Sequence, residues 1–227
     1  MAEDSPLAGA RGVLAESAEL IREIREMYER SLASQEVPAR LPQKVKASLE
    51  NQRSALDYLA YELTEAFGKS GSRTAYPLAR VAADFAKSMK ESLPGVATAR
   101  PDVALAVERH QMFAPGYEWL DHLVERVNSI KHRRLTPQTR SVTEQITATG
   151  PGGSVSWNPA QVTFGAGVSI LGQPVNPTTQ LPAGTVTRTI YVDWLFEGTQ
   201  LSVLGTLESI QEGVVRVIDD LGQLVGW

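Results

Sequence analysis

Apolar positions in the first two-thirds of the chain recur at three- and four-residue steps, the period of an amphipathic helix. Leu14, Ala18, Ile21, Ile24, Tyr28 and Leu32 mark a first helix. Between them Arg22/Glu26, Arg25/Glu29 and Glu26/Arg30 stand four apart, opposite-charge pairs that suit a solvated helix face. Pro38 and Pro42 separate this helix from a second, over 44–67, carried by Leu49, Leu56, Leu59, Ala60, Leu63 and Phe67. Shorter helices are predicted over 78–93 (Val81, Phe85, Met89) and 102–113, the latter with Pro101 in a good N-terminal position. A further helix over 116–134 ends before Pro137.

The period changes at about Ser141. Val142–Thr147, Ser154–Trp157, Val162–Ile170 and Val186–Trp194 are β-branched, roughly alternating, and separated by Gly, Pro and Asn clusters. They predict an antiparallel hairpin or meander of three to four strands, with 162–170 paired to 186–194. The segment Gly172–Gly184, with three prolines, is expected to be an exposed, mobile loop. From Thr199 the helical period returns with Leu204, Leu207, Ile210, Val214, Val217 and Leu221. Gly205 and Gly213 lie eight apart, a spacing that lets this helix approach a neighbour closely. The pattern predicts an α+β fold: a helical bundle (1–140), a small antiparallel β-sheet (141–197) and a closing C-terminal amphipathic helix (198–227) that packs back on the bundle as one domain.

Composition adds boundaries. At 227 residues the chain can bury a sizeable core, and 42% hydrophobic with 21% charged residues is ordinary for a globular protein. A net charge of −4 argues against a surface devoted to nucleic acid. Without cysteine there is no disulfide framework, thiol nucleophile or cysteine zinc site. Met1–Pro6 is acidic and lacks the pattern of a signal peptide, and no apolar run reaches the length of a membrane span. The expected location is cytoplasmic.

Two segments carry polar groups that a plain bundle does not need. In 53–63, Arg53 and Asp57 lie one turn apart, about 40° from each other at 3.6 residues per turn, on the rim of the apolar stripe. Such a pair can hydrogen-bond to itself while facing a neighbouring helix. In the later helix Trp119, Leu120, Leu123, Val124, Val127 and Ile130 form the stripe. Asp121, Glu125, Asn128 and His132 share the opposite face, Lys131 lies at the edge of the stripe, and Arg126 and Arg133 flank its other edge. Cations ending a helix are favoured by its exposed carbonyls, so a structural role for 131–134 competes with a functional one. The predicted contact is between Arg53/Asp57 and Lys131, His132 or Arg133. His110 and His122 read as surface or helix-end residues. No cofactor or metal is expected, because Asp121, Glu125 and His132 have no matching ligands on a second helix. Gly68–Thr74 lacks the glycine pattern of a phosphate-binding loop, and no nucleophile elbow is present.

Arg53-Ser-Ala-Leu-Asp57 before an aromatic and a Leu/Ala helix, the Tyr76-Pro77 turn, and the helix end Ile130-Lys131-His132-Arg133 together resemble an uncharacterised bacterial family with an RSALD-type helix and a KHR helix end. The likeness spans about 45–221. Tyr58 stands where that family commonly has His, and Ser129-Ile130 where it has Ile-Asp. It implies architecture and no activity. Arg126 and His132, separated by five residues, also resemble the signature of the HEPN superfamily of helical-bundle ribonucleases and nucleotide-binding proteins. Val127 occupies the usual polar place and Asn128 comes one position late. That resemblance implies His132 in proton transfer at a ribose 2′-hydroxyl and Arg126 on the phosphate, in a site completed across a dimer.

Two functions therefore compete. The first is a non-enzymatic, oligomeric binding or assembly protein, with Arg53, Asp57, Asn128, Lys131 and Arg133 as binding residues and a second copy or another protein as partner. The second is a HEPN-like, metal-independent ribonuclease of the toxin or phage-defence kind, with Arg126 and His132 catalytic and RNA as substrate.

Overall fold

The computed structural model describes residues 5–34, 37–71, 73–132 and 138–227. It is α+β, with helices and two small antiparallel sheets that divide into two compact units: 1–138 with 195–227, and 139–194.

The helical unit is built on a hairpin of α1 (Ala8–Ser34) and α2 (Leu41–Phe67). The contacts Gly9 with Tyr58, Ser17 with Ser48 and Glu23 with Lys44 show the two helices running antiparallel. The buried seam of α1 is Leu14, Ser17, Ile21, Ile24 and Ser31, whereas Ala18 and Leu32, expected inside, are exposed. Steps of three and four from Leu14 land on the serines, and small side chains there let the helices close up. The Ser17 and Ser48 hydroxyls meet at 3.0 Å, which satisfies both in the interior. Of the charged pairs expected along α1, Arg22–Glu26 forms at 2.8 Å and Glu26–Arg30 at 4.0 Å, while Arg25 reaches across to Glu208 at 2.5 Å. The polar face of α1 therefore ties helices together as well as facing solvent.

Pro42 occupies the first turn of α2, where its missing N–H costs nothing. Then follow α3 (Ala82–Ser92), the one-turn α4 (Val96–Ala99), α5 (Pro101–Arg109) and α6 (Glu118–His132). After the sheet unit the chain returns as α7 (Val203–Val225), which packs on α1, α2, α5 and α6. Ser202 caps it by accepting from Gly205 N at 3.2 Å, and Gly226 ends it in the left-handed conformation that glycine adopts freely. Val203, Leu207, Ile210, Val214, Val217, Ile218 and Leu221 are buried along its length. Two glutamines tie three helices at one level. Gln52 of α2 donates to Leu207 O at 2.9 Å, and Gln211 of α7 donates to Leu14 O at 3.0 Å.

The second unit contains most of β1 (Gln138–Gly150), then β2 (Gly153–Trp157), β3 (Ser169–Ile170), β4 (Gln173–Asn176), β5 (Leu181–Pro182) and most of β6 (Thr185–Phe196). One sheet has the order β2-β1-β6 and the other β3-β4-β5. In the first, Ile146 opposes Trp157 and Thr147 opposes Ser156. Ile146, Ala148 and Trp157 form a small core with Ile170 and Val175, against which Phe164, Leu171, Leu181 and Val186 pack. The expected pairing of 162–170 with 186–194 is not formed: β6 pairs with β1, and only Ser169–Ile170 of the former segment is strand. The expected loop 172–184 instead holds β4 and β5, with Val175 and Pro182 buried. Short strands interrupted by Pro and Asn leave no alternation long enough to read.

A Cβ on Gly213 would sit inside the Trp119 indole, whereas at Gly205 it would meet only the capping Ser202 at 3.5 Å or more. Of the two glycines singled out by spacing, Gly213 is the contact. Gly213→Ala is expected to lower stability by about 1–3 kcal/mol through overpacking. Gly205→Ala, exposed in the first turn of α7, is expected to change it little or raise it by up to about 1 kcal/mol. Urea denaturation of the two variants checks the contrast, and equal effects would refute the packing assignment.

Candidate functional site

Between α2 and α3 the chain runs without regular structure through 74–81, yet Tyr76 and Ala79 are buried. Buried backbone outside helix and sheet must find its hydrogen bonds elsewhere, and here four side chains supply them. Arg53 and Asp57 form a two-point pair, Nε to Oδ2 at 3.2 Å and Nη2 to Oδ1 at 2.9 Å. Asp57 Oδ1 also accepts from Tyr76 N at 2.9 Å, and Arg53 Nη2 donates to Tyr76 O at 3.3 Å. Ser88 accepts from Leu78 N at 3.1 Å and donates to Leu78 O at 3.2 Å. Gln111, wholly buried, accepts from Ala79 N at 2.9 Å and donates to Pro77 O at 3.2 Å. The Tyr76-Pro77-Leu78-Ala79 segment is thus bonded from both sides. Burial, and secondarily Tyr117, keeps the Tyr76 phenol protonated well above its usual range, against the pull of Arg53.

The ion pair is only partly open. The Arg53 side chain is 15% exposed and that of Asp57 is 38%. An open depression of about 460 Å³ lies over Asp57, lined by Ser54, Tyr58, Tyr61 and Thr74. Asp57 is taken up by Arg53 and the Tyr76 amide, while one guanidinium nitrogen of Arg53, Nη1, is buried without a hydrogen-bond partner among the described residues. Nearby Gly68 caps the C-terminus of α2, so Gly68-Lys69-Ser70 closes a helix instead of opening one.

The α6 residues fall into two groups. Arg126 lies over the Phe196 ring, 5.4 Å from its centroid, and 3.5 Å from Glu125. Asn128 is exposed. Asp121 and Glu125 face Arg80 at 2.7 and 3.8 Å, which makes that face an ion-pair surface. Among the described residues no three carboxylates or histidines gather as a metal site. The helix backbone runs to His132, but the side chains of Lys131 and His132, and all of Arg133, lie outside the described residues. So does the expected contact between them and Arg53 or Asp57.

One constellation was not read from the sequence. His110 is a helix-end residue, the C-cap of α5, but at 6% exposure it is not on the surface. Its Nδ1 meets the Tyr117 hydroxyl at 2.5 Å and its Nε2 lies 3.6 Å from Asp220 of α7. The group borders an open cavity of about 440 Å³ with Ala106, Arg109, Gln223 and Leu224. Burial holds His110 below the ordinary histidine range; Asp220 opposes this, and Arg216 and Arg109 add to it. Burial likewise raises the Tyr117 phenol, so the trio does not present an activated nucleophile. Its clearest role is a tether between the segment before α6 and the closing helix. No family model, curated protein or solved structure matches the chain.

Removing Asp57 would leave Arg53 without its counter-ion and Tyr76 N–H without an acceptor. Asp57→Ala is expected to cost about 2–4 kcal/mol, and Gln111→Leu, which strands Ala79 N–H, about 1–3 kcal/mol. Thermal melts check both. Losses under 0.5 kcal/mol would show that the crossing holds itself without these partners.

His110 also predicts a pH dependence. Its folded basicity is lowered, so below the ordinary pKa of about 6.5 the unfolded chain binds the proton more readily. Stability from this group is complete above that pH, falls as the pH drops below it, and levels off once folded His110 is itself protonated. His110→Gln is expected to flatten the slope between pH 7.5 and 5 in urea titrations. An unchanged slope would assign the dependence to other groups.

Proposed function

We propose that this protein is a non-enzymatic assembly protein that associates through its sheet unit. The observation that carries this is the surface of 139–194. Arg140, Glu144, Arg188 and Asp193 are its only charged residues and it has no lysine, although 21% of the whole chain is charged. Two of those charges neutralise each other, Arg188 on Glu144 at 2.5 Å. The same unit exposes Val142, Val155, Ile190 and Tyr191. Charge depletion, absence of lysine and exposed β-branched and aromatic side chains characterise the centres of protein interfaces. The internal use of Arg53 and Asp57 supports the same reading, since it leaves them a structural part. It also suggests why an RSALD-type helix and an aromatic-Pro turn occur together: the one bonds the backbone of the other.

The HEPN-like alternative has no comparable support. In that reading Arg126 would leave Phe196 and Glu125 to reach a phosphate. Among the described residues no helix is long and apolar enough to cross a membrane, and a membrane partner is not part of the proposal.

Light scattering over a concentration series tests the assembly reading. Wild type is expected to associate at micromolar concentrations, and Ile190→Lys to weaken association tenfold or more. The melting temperature should barely move, because Ile190 is 61% exposed. A monomer at every concentration would overturn the reading. Mixed RNA incubated with the protein in EDTA is expected to stay intact. Cleavage abolished by Arg126→Ala and by His132→Ala would establish the ribonuclease instead.

A further inference from the structure

We propose that the cavity beside His110 binds a small neutral polyol, a free sugar or cyclitol, by holding one of its hydroxyls between His110 and Asp220. The site lies wholly within the helical unit and does not depend on association through the sheet unit.

The His110 side chain is 7% exposed, so packing fixes its imidazole, yet the ring borders the cavity of about 440 Å³ between α5 and α7. What it offers there is decided by its other nitrogen. Nδ1 meets the Tyr117 hydroxyl at 2.5 Å. Burial keeps Tyr117 a phenol, and a phenol O–H is a stronger donor than a neutral imidazole N–H, so Tyr117 donates and Nδ1 accepts. A neutral imidazole carries a single N–H, which this bond assigns to Nε2.

Asp220 Oδ2 stands 3.6 Å from that nitrogen, too far for a hydrogen bond. Neither Nε2 nor the Asp220 carboxylate has a hydrogen-bond partner among the described residues. One donor and one acceptor, both unspent, therefore border the same opening. An oxygen about 2.8 Å from each closes a triangle on the gap. A hydroxyl complements both, because it accepts from Nε2–H and donates to the carboxylate. An ammonium would meet Nε2–H donor to donor, and a carboxylate or phosphate would meet Asp220 charge to charge.

The remaining walls suit the same ligand. Arg109 balances the charge of Asp220, and with Arg216 it disfavours a further cation at His110. The Gln223 amide can both donate to and accept from a second hydroxyl, and Ala106 and Leu224 offer carbon surface to a ring. The volume falls in the range of small-molecule pockets.

The chain has three histidines, so their imidazole nitrogens can be followed singly by NMR in the intact protein, with His110 assigned by its loss in His110→Gln. Above the ordinary histidine range the His110 pattern is expected to place the proton on Nε2. A proton on Nδ1 would remove the donor and overturn the proposal. Titration with glucose, ribose and myo-inositol is expected to shift the His110 Nε2 signal saturably with at least one of them, in the millimolar range of a small ligand in an open site. Asp220→Ala is expected to weaken that binding tenfold or more with little change in melting temperature, because Asp220 is 53% exposed. No saturable shift with any of the three would overturn the site, as would binding that survives Asp220→Ala unchanged. Alanine and inorganic phosphate are expected to leave the signal in place, and a stronger response to either would overturn the neutral ligand in favour of a zwitterion or an anion. Each readout is indifferent to oligomeric state, so failure here leaves the assembly reading standing.

Discussion

Irregular backbone inside a protein has to be hydrogen-bonded by something, and that requirement organises the helical unit. The crossing through Tyr76–Ala79 carries the chain from the long hairpin to the short helices, and it is buried where neither helix nor sheet can serve its amides. Asp57, Arg53, Ser88 and Gln111, drawn from three separate regions of the chain, converge on four consecutive residues. Each partner is fixed by its own helix or helix end. The Arg–Asp pair is the strongest part, because a charge-assisted, two-point contact both orients the carboxylate and satisfies it. Without this bonding the segment would have to move to water, and the helices that follow it would lose their footing.

Legibility in the sequence followed the range of the physics involved. Helices announced themselves because a 3.6 period is written within a few turns, and α2, α6 and α7 lie within a few residues of where the pattern puts them. The exchange of Ala18 and Leu32 for Ser17 and Ser31 at the seam was hidden, since only the facing helix shows that a small hydroxyl fits there. Arg53 and Asp57 were recognisable as a pair four apart, but the backbone they hold was not. His110 gave no signal at all. Its partner Asp220 is remote in sequence, and only packing reveals that a helix-end histidine is enclosed. In the sheet unit the strand segments were mostly visible and their partners were not, because pairing is decided by topology.

The two units also differ in how they treat charge. The helical unit joins its elements through pairs such as Arg25–Glu208 and Arg11–Asp219, which are exposed and individually worth little. The sheet unit nearly dispenses with charge and lines β1 and β2 with hydroxyl pairs, Thr147 with Ser156 at 2.8 Å and Thr149 with Ser154 at 3.2 Å. Such a surface neither repels nor steers a partner at long range. Any contact made there would be decided by complementarity of shape at short range.

The sheet unit interrupts the helical one, which resumes only at Leu195 and is completed by α7. On a ribosome, which adds residues from the N-terminus at about 5–20 per second, the closing helix is made only after the whole sheet unit. Until it emerges, Trp119 lacks its contact with Gly213, the Leu14 carbonyl lacks the amide of Gln211, and the amide of Gln52 lacks its carbonyl on α7. The sheet unit, continuous in sequence, can form in that interval. During synthesis the other helices of the helical unit therefore wait several seconds for the element that completes their packing.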